Sequence, residues 1–184
     1  MEMLNAADGS AAGLVARPSM IEALKAVGVY HVTCIGADGV VKWEAECPNT
    51  VTTQGKNAIL DKFLDRGTAY TNVAVGLHTT VGNASSTYAS PSPQVEATVI
   101  AARVAPTFSA ASAGSKATSS AVSFSITGTA TITGCFLVYA NAACTTVSDT
   151  AASGGILLST GTFSGGSRLV VSGDTLNVTY SLAL

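Results

Sequence analysis

From Gly67 onward the chain is cut into short apolar stretches by clusters of Gly, Ser, Asn and Pro. A period of two recurs in these stretches and helical spacing does not, so their backbone groups must find partners on neighbouring strands. The last stretch is the clearest. Leu176, Val178, Tyr180 and Leu182 alternate with Asn177, Thr179 and Ser181, and Gly173-Asp174 precedes them as a turn. Further candidate strands are 72–78, 95–104, 121–127, 129–139, 155–159 and 168–171. Ser109 to Ser120 is of low complexity and reads as a loop. Many short strands with such breaks predict a mainly β fold, a β-sandwich or jelly roll.

Before Gly67 the patterning differs. Val27, Val29, His31 and Thr33 alternate with Gly28, Tyr30, Val32 and Cys34, and Asp38-Gly39 follows as a turn signal. Val41, Trp43 and Ala45 then share one face, with Lys42, Glu44 and Glu46 on the other. The spacing predicts a hairpin over 27–47, ended by Pro48. A helix is expected over 55–64. Its stripe of Ile59, Leu60, Phe63 and Leu64 should pack on the β domain, and Gly67 should stop it. Residues 1–17 have no periodicity. Ser19 and Glu22 then form a capping-box pattern for a short helix from Met20 to Ala26. The expected organisation is an N-terminal arm and short helix, 1–26, and a single β domain, 27–184.

Charge narrows the function classes. Only 11% of the residues are charged, against roughly 25% in an ordinary soluble domain. Nine Lys and Arg face eleven Asp and Glu, so no basic excess points to nucleic acid. No apolar window reaches the roughly 20 residues of a membrane-spanning helix. Residues 104–184 carry just Lys116, Asp149, Arg168 and Asp174 as charges, while Ala, Thr, Ser and Gly make up nearly half the chain. A surface of small methyl and hydroxyl groups has little like-charge repulsion to keep copies apart. It suits a subunit whose faces are covered by neighbours.

A search for reactive groupings nominates no catalytic, cofactor-binding or metal-binding residue. His31 and Cys34 belong to one strand and point to opposite faces, so with Cys47 they make a poor metal set. His78 ends a strand and has no nucleophile signature beside it. Glu44 and Glu46 are spaced about 7 Å apart by strand rise, within glycosidase range, yet they lie beside Lys42 on an expected solvent face. Gly154-Gly155 and Gly165-Gly166 lack the Lys-Ser/Thr that a phosphate loop requires. Tyr70 and Tyr88 flank loops and are the aromatics freest to touch a partner. Cys34, Cys47, Cys135 and Cys144 read as buried thiols of a reducing compartment, with a Cys34–Cys47 bridge across the hairpin as the alternative. Met1-Glu2-Met3-Leu4 has no basic start and no apolar stretch of a secretory leader.

Several segments together resemble small virion proteins of tailed bacteriophages. They are Lys42-Trp43-Glu44-Ala45, the run from Thr52 to Asp61 (TTQGKNAILD) and Val75-Gly76-Leu77. Ser109 to Ala117, Ile132 to Tyr139 and Gly173 to Leu182 complete the set. The resemblance covers roughly residues 27–184 and leaves out 1–26. It implies a non-enzymatic structural part of the particle. The expected role is a capsid decoration, or cement, protein on the outer shell surface, made in the host cytoplasm. Its partners would be the major capsid protein and further copies of itself, as a dimer or trimer. The arm would contact the shell or a neighbouring copy. A tail or fibre component, including a host-surface adhesin, is the alternative.

Overall fold

The computed structural model describes residues 26–64, 70–80, 82–88, 96–147 and 155–184, apart from the Phe63 side chain. The expected arm and its short helix lie outside these residues up to Ala26. The chain runs through β1 (Val27–Ile35), β2 (Val41–Val51), α1 (Thr53–Leu64), β3 (Asn72–His78), β4 (Ser115–Ala117), β5 (Val122–Ser125), β6 (Ala130–Ile132), β7 (Gly134–Ala140), β8 (Ile156–Thr162), β9 (Arg168–Val170) and β10 (Thr175–Ala183). The fold is mainly β, as the alternation predicts. One curled antiparallel sheet runs β3-β7-β8-β2-β1-β10-β4, with β5 also pairing β10; β6 and β9 form a separate ribbon. The curled sheet makes a half-barrel whose two halves enclose the core, in the manner of a β-sandwich.

The hairpin forms as expected, with Gly39 at a φ of 80° in its turn. Asp38 accepts a bond from the Val40 N–H at 3.0 Å, and the Gly36 N–H closes on the Val40 carbonyl at 2.8 Å. Two details depart from the sequence reading. Pro48 does not end β2, which continues to Val51. Up to Pro48 the strand pairs β1; from Asn49 to Val51 it pairs β8. Pro48 therefore sits where β2 changes partner, a place where a missing N–H costs least. The second departure is a bulge. Cys34 faces Trp43 while Ile35 faces Val41, which leaves Lys42 as the extra residue. The bulge takes Lys42 out of the Glu44 and Glu46 row and lets its Nζ reach Asp174 at 2.8 Å.

The core side of β1 and β10 is read directly from their alternation. Tyr30, Val32 and Cys34 are buried with Leu176, Val178 and Tyr180, joined by Phe124 from β5 and Leu77 and Leu137 from the opposite half. In β3, β7 and β8 alternation fails because both faces are covered. On their far face Ala74, Phe136, Val138, Ala140 and Leu157 pack with Tyr88 and Cys144. Residues 96–104 form no strand there. They touch the sheet through single bridges, His78 with Glu96 and Val75 with Val104, and so cover the edge of β3. The expected loop 109–120 contains β4, which pairs Ser181 to Ala183.

The helix starts earlier than expected because Thr52 caps it. The Thr52 hydroxyl accepts from the Gly55 N–H at 3.0 Å and donates to the Leu157 carbonyl. Its packing face also differs. A Cβ on Gly55 would lie 2.3 Å from the Leu158 carbonyl oxygen, so the helix approaches β8 through glycine. Ile59 packs on the core, but Leu60 and Leu64 point to solvent. The close approach at Gly55 fixes which side faces the sheet, and Leu60 and Leu64 of the expected stripe then turn outward.

Candidate functional site

The residues singled out in the sequence are scattered by the fold. Glu44 and Glu46 are exposed on the outer face of the hairpin. Glu46 lies 3.5 Å from His31 across the strands, and Glu44 accepts from the Thr33 hydroxyl at 3.3 Å. His31 shares that outer face, while Cys34 is fully buried. Cys34 and Cys47 both face the core, yet Cys34 pairs with Trp43 and Cys47 with Tyr30. Four residues of strand separate them, about 13 Å, too far for a disulfide. Among the described residues no three His, Cys, Asp or Glu side chains group as a metal site requires.

His78 is buried. Its Nε2 lies 2.8 Å from the Gly161 carbonyl, and its ring stacks on Phe136 at 6.3 Å. Burial pushes its pKa below the ordinary histidine value. Tyr88 is not free, as its loop position suggested. It is buried, and its ring and hydroxyl receive Arg103 at 5.6 Å and 3.4 Å. Arg103 is enclosed between Tyr88 and Phe136, and its guanidinium meets both Glu96 oxygens at 2.9 to 3.2 Å. The sequence reading missed this pair. Its signal was an Arg and a Glu seven residues apart in an otherwise apolar segment.

Asp174 forms a second buried charge site. The Lys42 ammonium, the Val171 N–H at 3.0 Å and the Cys34 thiol at 3.8 Å converge on its Oδ2. Burial alone would raise this carboxyl; the Lys42 ammonium and the Val171 N–H outweigh it and hold the pKa below the usual value. A third polar cluster crosses the core. The Tyr30 hydroxyl meets Ser159 Oγ at 2.6 Å, and Asn49 Nδ2 donates to the Tyr180 hydroxyl at 2.8 Å. Both phenols are pushed up by burial and stay neutral. These clusters tie strands together, and burial, with the Asp174 carboxylate beside it, pushes the Cys34 thiol up to about 11, so it stays protonated.

Among the described residues two surface features bear on binding. One is an apolar groove of about 210 Å³ between α1 and the sheet. Ala58, Ile59 and Lys62 line its helical side; Tyr139, Leu158 and Leu182 line the other, with Tyr70 and Ile156. Burial lifts the Tyr139 phenol to about 12, so that wall is uncharged. The other is the outward edge of α1, where Leu60 and Leu64 stand 54% and 82% exposed. Such features suit binding of an apolar surface. Comparison with known proteins found no matching family model, no similar curated protein and no similar solved structure.

Proposed function

We propose that this chain is a structural protein of a bacteriophage particle, a decoration protein seated on the outer surface of a shell of major capsid protein. The observation that carries the proposal is the outward edge of α1. Leu60 and Leu64 face water on a chain with a net charge of −2. An apolar edge on a weakly charged surface gains most from a protein partner that removes it from water. The resemblance to small virion proteins supplies the nature of that partner. Its motifs fall on fold-determining positions, such as Thr52 at the helix cap and Gly76 under the Phe136 ring. That placement agrees with a protein that acts by binding and carries out no reaction.

The mechanism is avidity. Each copy makes a modest apolar contact, and repetition over a lattice, with contacts between copies, multiplies the modest contacts. Purified protein mixed with shells that lack it should co-pellet with them. It should saturate at a copy number compatible with the shell symmetry. The variant Leu60→Asp/Leu64→Asp should stay in the supernatant. Absence of co-pelleting overturns the proposal, and labelled antibody decorating the tail of intact particles would replace it with the tail or fibre reading.

A further inference from the structure

We propose that Cys47 and Cys135 are a latent disulfide pair, which a small-molecule disulfide such as oxidised glutathione closes into a covalent staple between the two halves of the curled sheet. The juxtaposition follows from a glycine. Cys135 of β7 faces Gly161 of β8 across the strands, and the Cβ positions of such partners are about 5 Å apart. Gly161 has no Cβ, and Cys47 Sγ fills the space: it lies 2.8 Å from the place a Cβ on Gly161 would take. Cys47 therefore reaches over β8 to the side chain of Cys135. Burial first, and then the hydrogen bond between the two sulfurs, push the Cys135 thiol well up. The setting is the corner where β2 changes partner. Cys47 pairs with Tyr30 of β1, and from Asn49 onward the same strand pairs with β8. Cys135 belongs to the other half, between Leu77 of β3 and Gly161 of β8. A bond between the sulfurs ties β2 at the corner to β7.

The other two cysteines do not compete in the folded chain. Cys34 faces Trp43, which is four residues of strand from Cys47. Cys144 packs with Phe136 and Leu157 on the far face of β7 and β8, while Cys135 belongs to the inner core. Closure is an exchange in two steps. One cysteine thiolate attacks a sulfur of oxidised glutathione, forms a mixed disulfide and releases one glutathione thiolate. The second cysteine thiolate attacks the protein sulfur of that mixed disulfide and releases the other. The protein gives up two protons and two electrons, and one oxidised glutathione becomes two reduced ones. Both cysteines are fully buried, so the exchange runs while the chain opens or folds, and the same burial then shields the bridge from reductant. The closed loop contains α1 and β3 to β6. A long loop of this kind restricts the unfolded chain more than a short one does. The inference concerns the single chain and stands apart from shell binding.

The test holds the full-length protein at equilibrium in buffers of graded reduced-to-oxidised glutathione ratio, with urea below the unfolding transition to speed opening. Free thiols are then capped with N-ethylmaleimide and the chain is digested without reduction. The folded protein should lose the mass of two hydrogen atoms, with the bridge mapped by mass spectrometry to the peptides of Cys47 and Cys135. The same chain oxidised in urea above the transition supplies the contrast. Short loops close best there, so Cys34–Cys47 and Cys135–Cys144, close in sequence, should prevail and the Cys47–Cys135 share should fall roughly tenfold or more. The bridged protein should also unfold at a higher urea concentration than the reduced one, and dithiothreitol should return the midpoint to the reduced value. Four results would each overturn the proposal: no bridge at any ratio, glutathione adducts alone, a different pair in the folded protein, or a bridged protein that unfolds at the same or lower urea concentration than the reduced one.

Discussion

Burying Arg103 takes a guanidinium out of water, and Glu96 offsets that loss with both of its oxygens. The pair is 5% exposed on each side, so solvent does little to screen it. Removing one partner leaves the other charge buried. Glu96→Gln should therefore cost about 3–5 kcal/mol in urea unfolding. The double variant Glu96→Leu/Arg103→Met should recover most of it, because no charge is then stranded. A double variant as unstable as the single one would show that packing, not charge, governs this site. His78 gives a pH signature. Its folded pKa is lowered by burial, so the unfolded chain binds the proton more readily. The contribution of neutral His78 is complete above the unfolded value near 6.5 and shrinks as pH falls from there through the folded pKa. Stability measured between about pH 7 and pH 5 should fall less steeply in His78→Gln than in the parent; identical slopes would place the titration elsewhere.

At the scale of elements, Thr52 joins β2 to α1. One hydroxyl caps the helix and reaches the Leu157 carbonyl, while the Thr52 N–H donates to the Leu158 carbonyl at 3.0 Å. Thr52→Ala should cost about 1–2 kcal/mol, and Thr52→Ser, which keeps the hydroxyl, much less. Equal losses would mean that the methyl packing matters and the cap does not. Elements were legible wherever a local rule decides them. The Asp38-Gly39 turn and the alternation of β10 follow from turn chemistry and from having one face buried. Where two faces are buried, as in β7 and β8, alternation carries no information. The helix face was misjudged for a related reason. Its apolar residues are set by sequence, but which side meets β8 is set by the missing Cβ of Gly55. The course of 96–104 depends on Arg103 and Glu96 finding each other, and no local pattern encodes a pair of that kind. The polar residues of the clusters were visible; their convergence needed the curl of the sheet.

At the scale of the whole molecule, the surface argument can be separated from the fold argument. Leu60 and Leu64 contribute little to the core, so Leu60→Asp/Leu64→Asp should leave unfolding within about 0.5 kcal/mol of the parent while abolishing the proposed association with the shell. Salt then distinguishes the kind of contact involved. A shell-binding surface built on charge pairs would weaken as the Debye length shrinks from about 10 Å at 0.1 M to about 3 Å at 1 M salt. This chain has a net charge of −2, and α1 itself carries Lys56, Asp61 and Lys62, which sum to +1, so little net Coulomb attraction is available to be screened. Apolar contact is instead strengthened by excluded salts such as sulfate. Association of the chain with its partner should accordingly hold constant or tighten as sodium sulfate is raised, read as bound copies per shell or as the mass of the assembly in sedimentation. A steep loss of binding with salt would shift the contact from the α1 edge to the acidic row of Glu44 and Glu46 on the outer face of the hairpin.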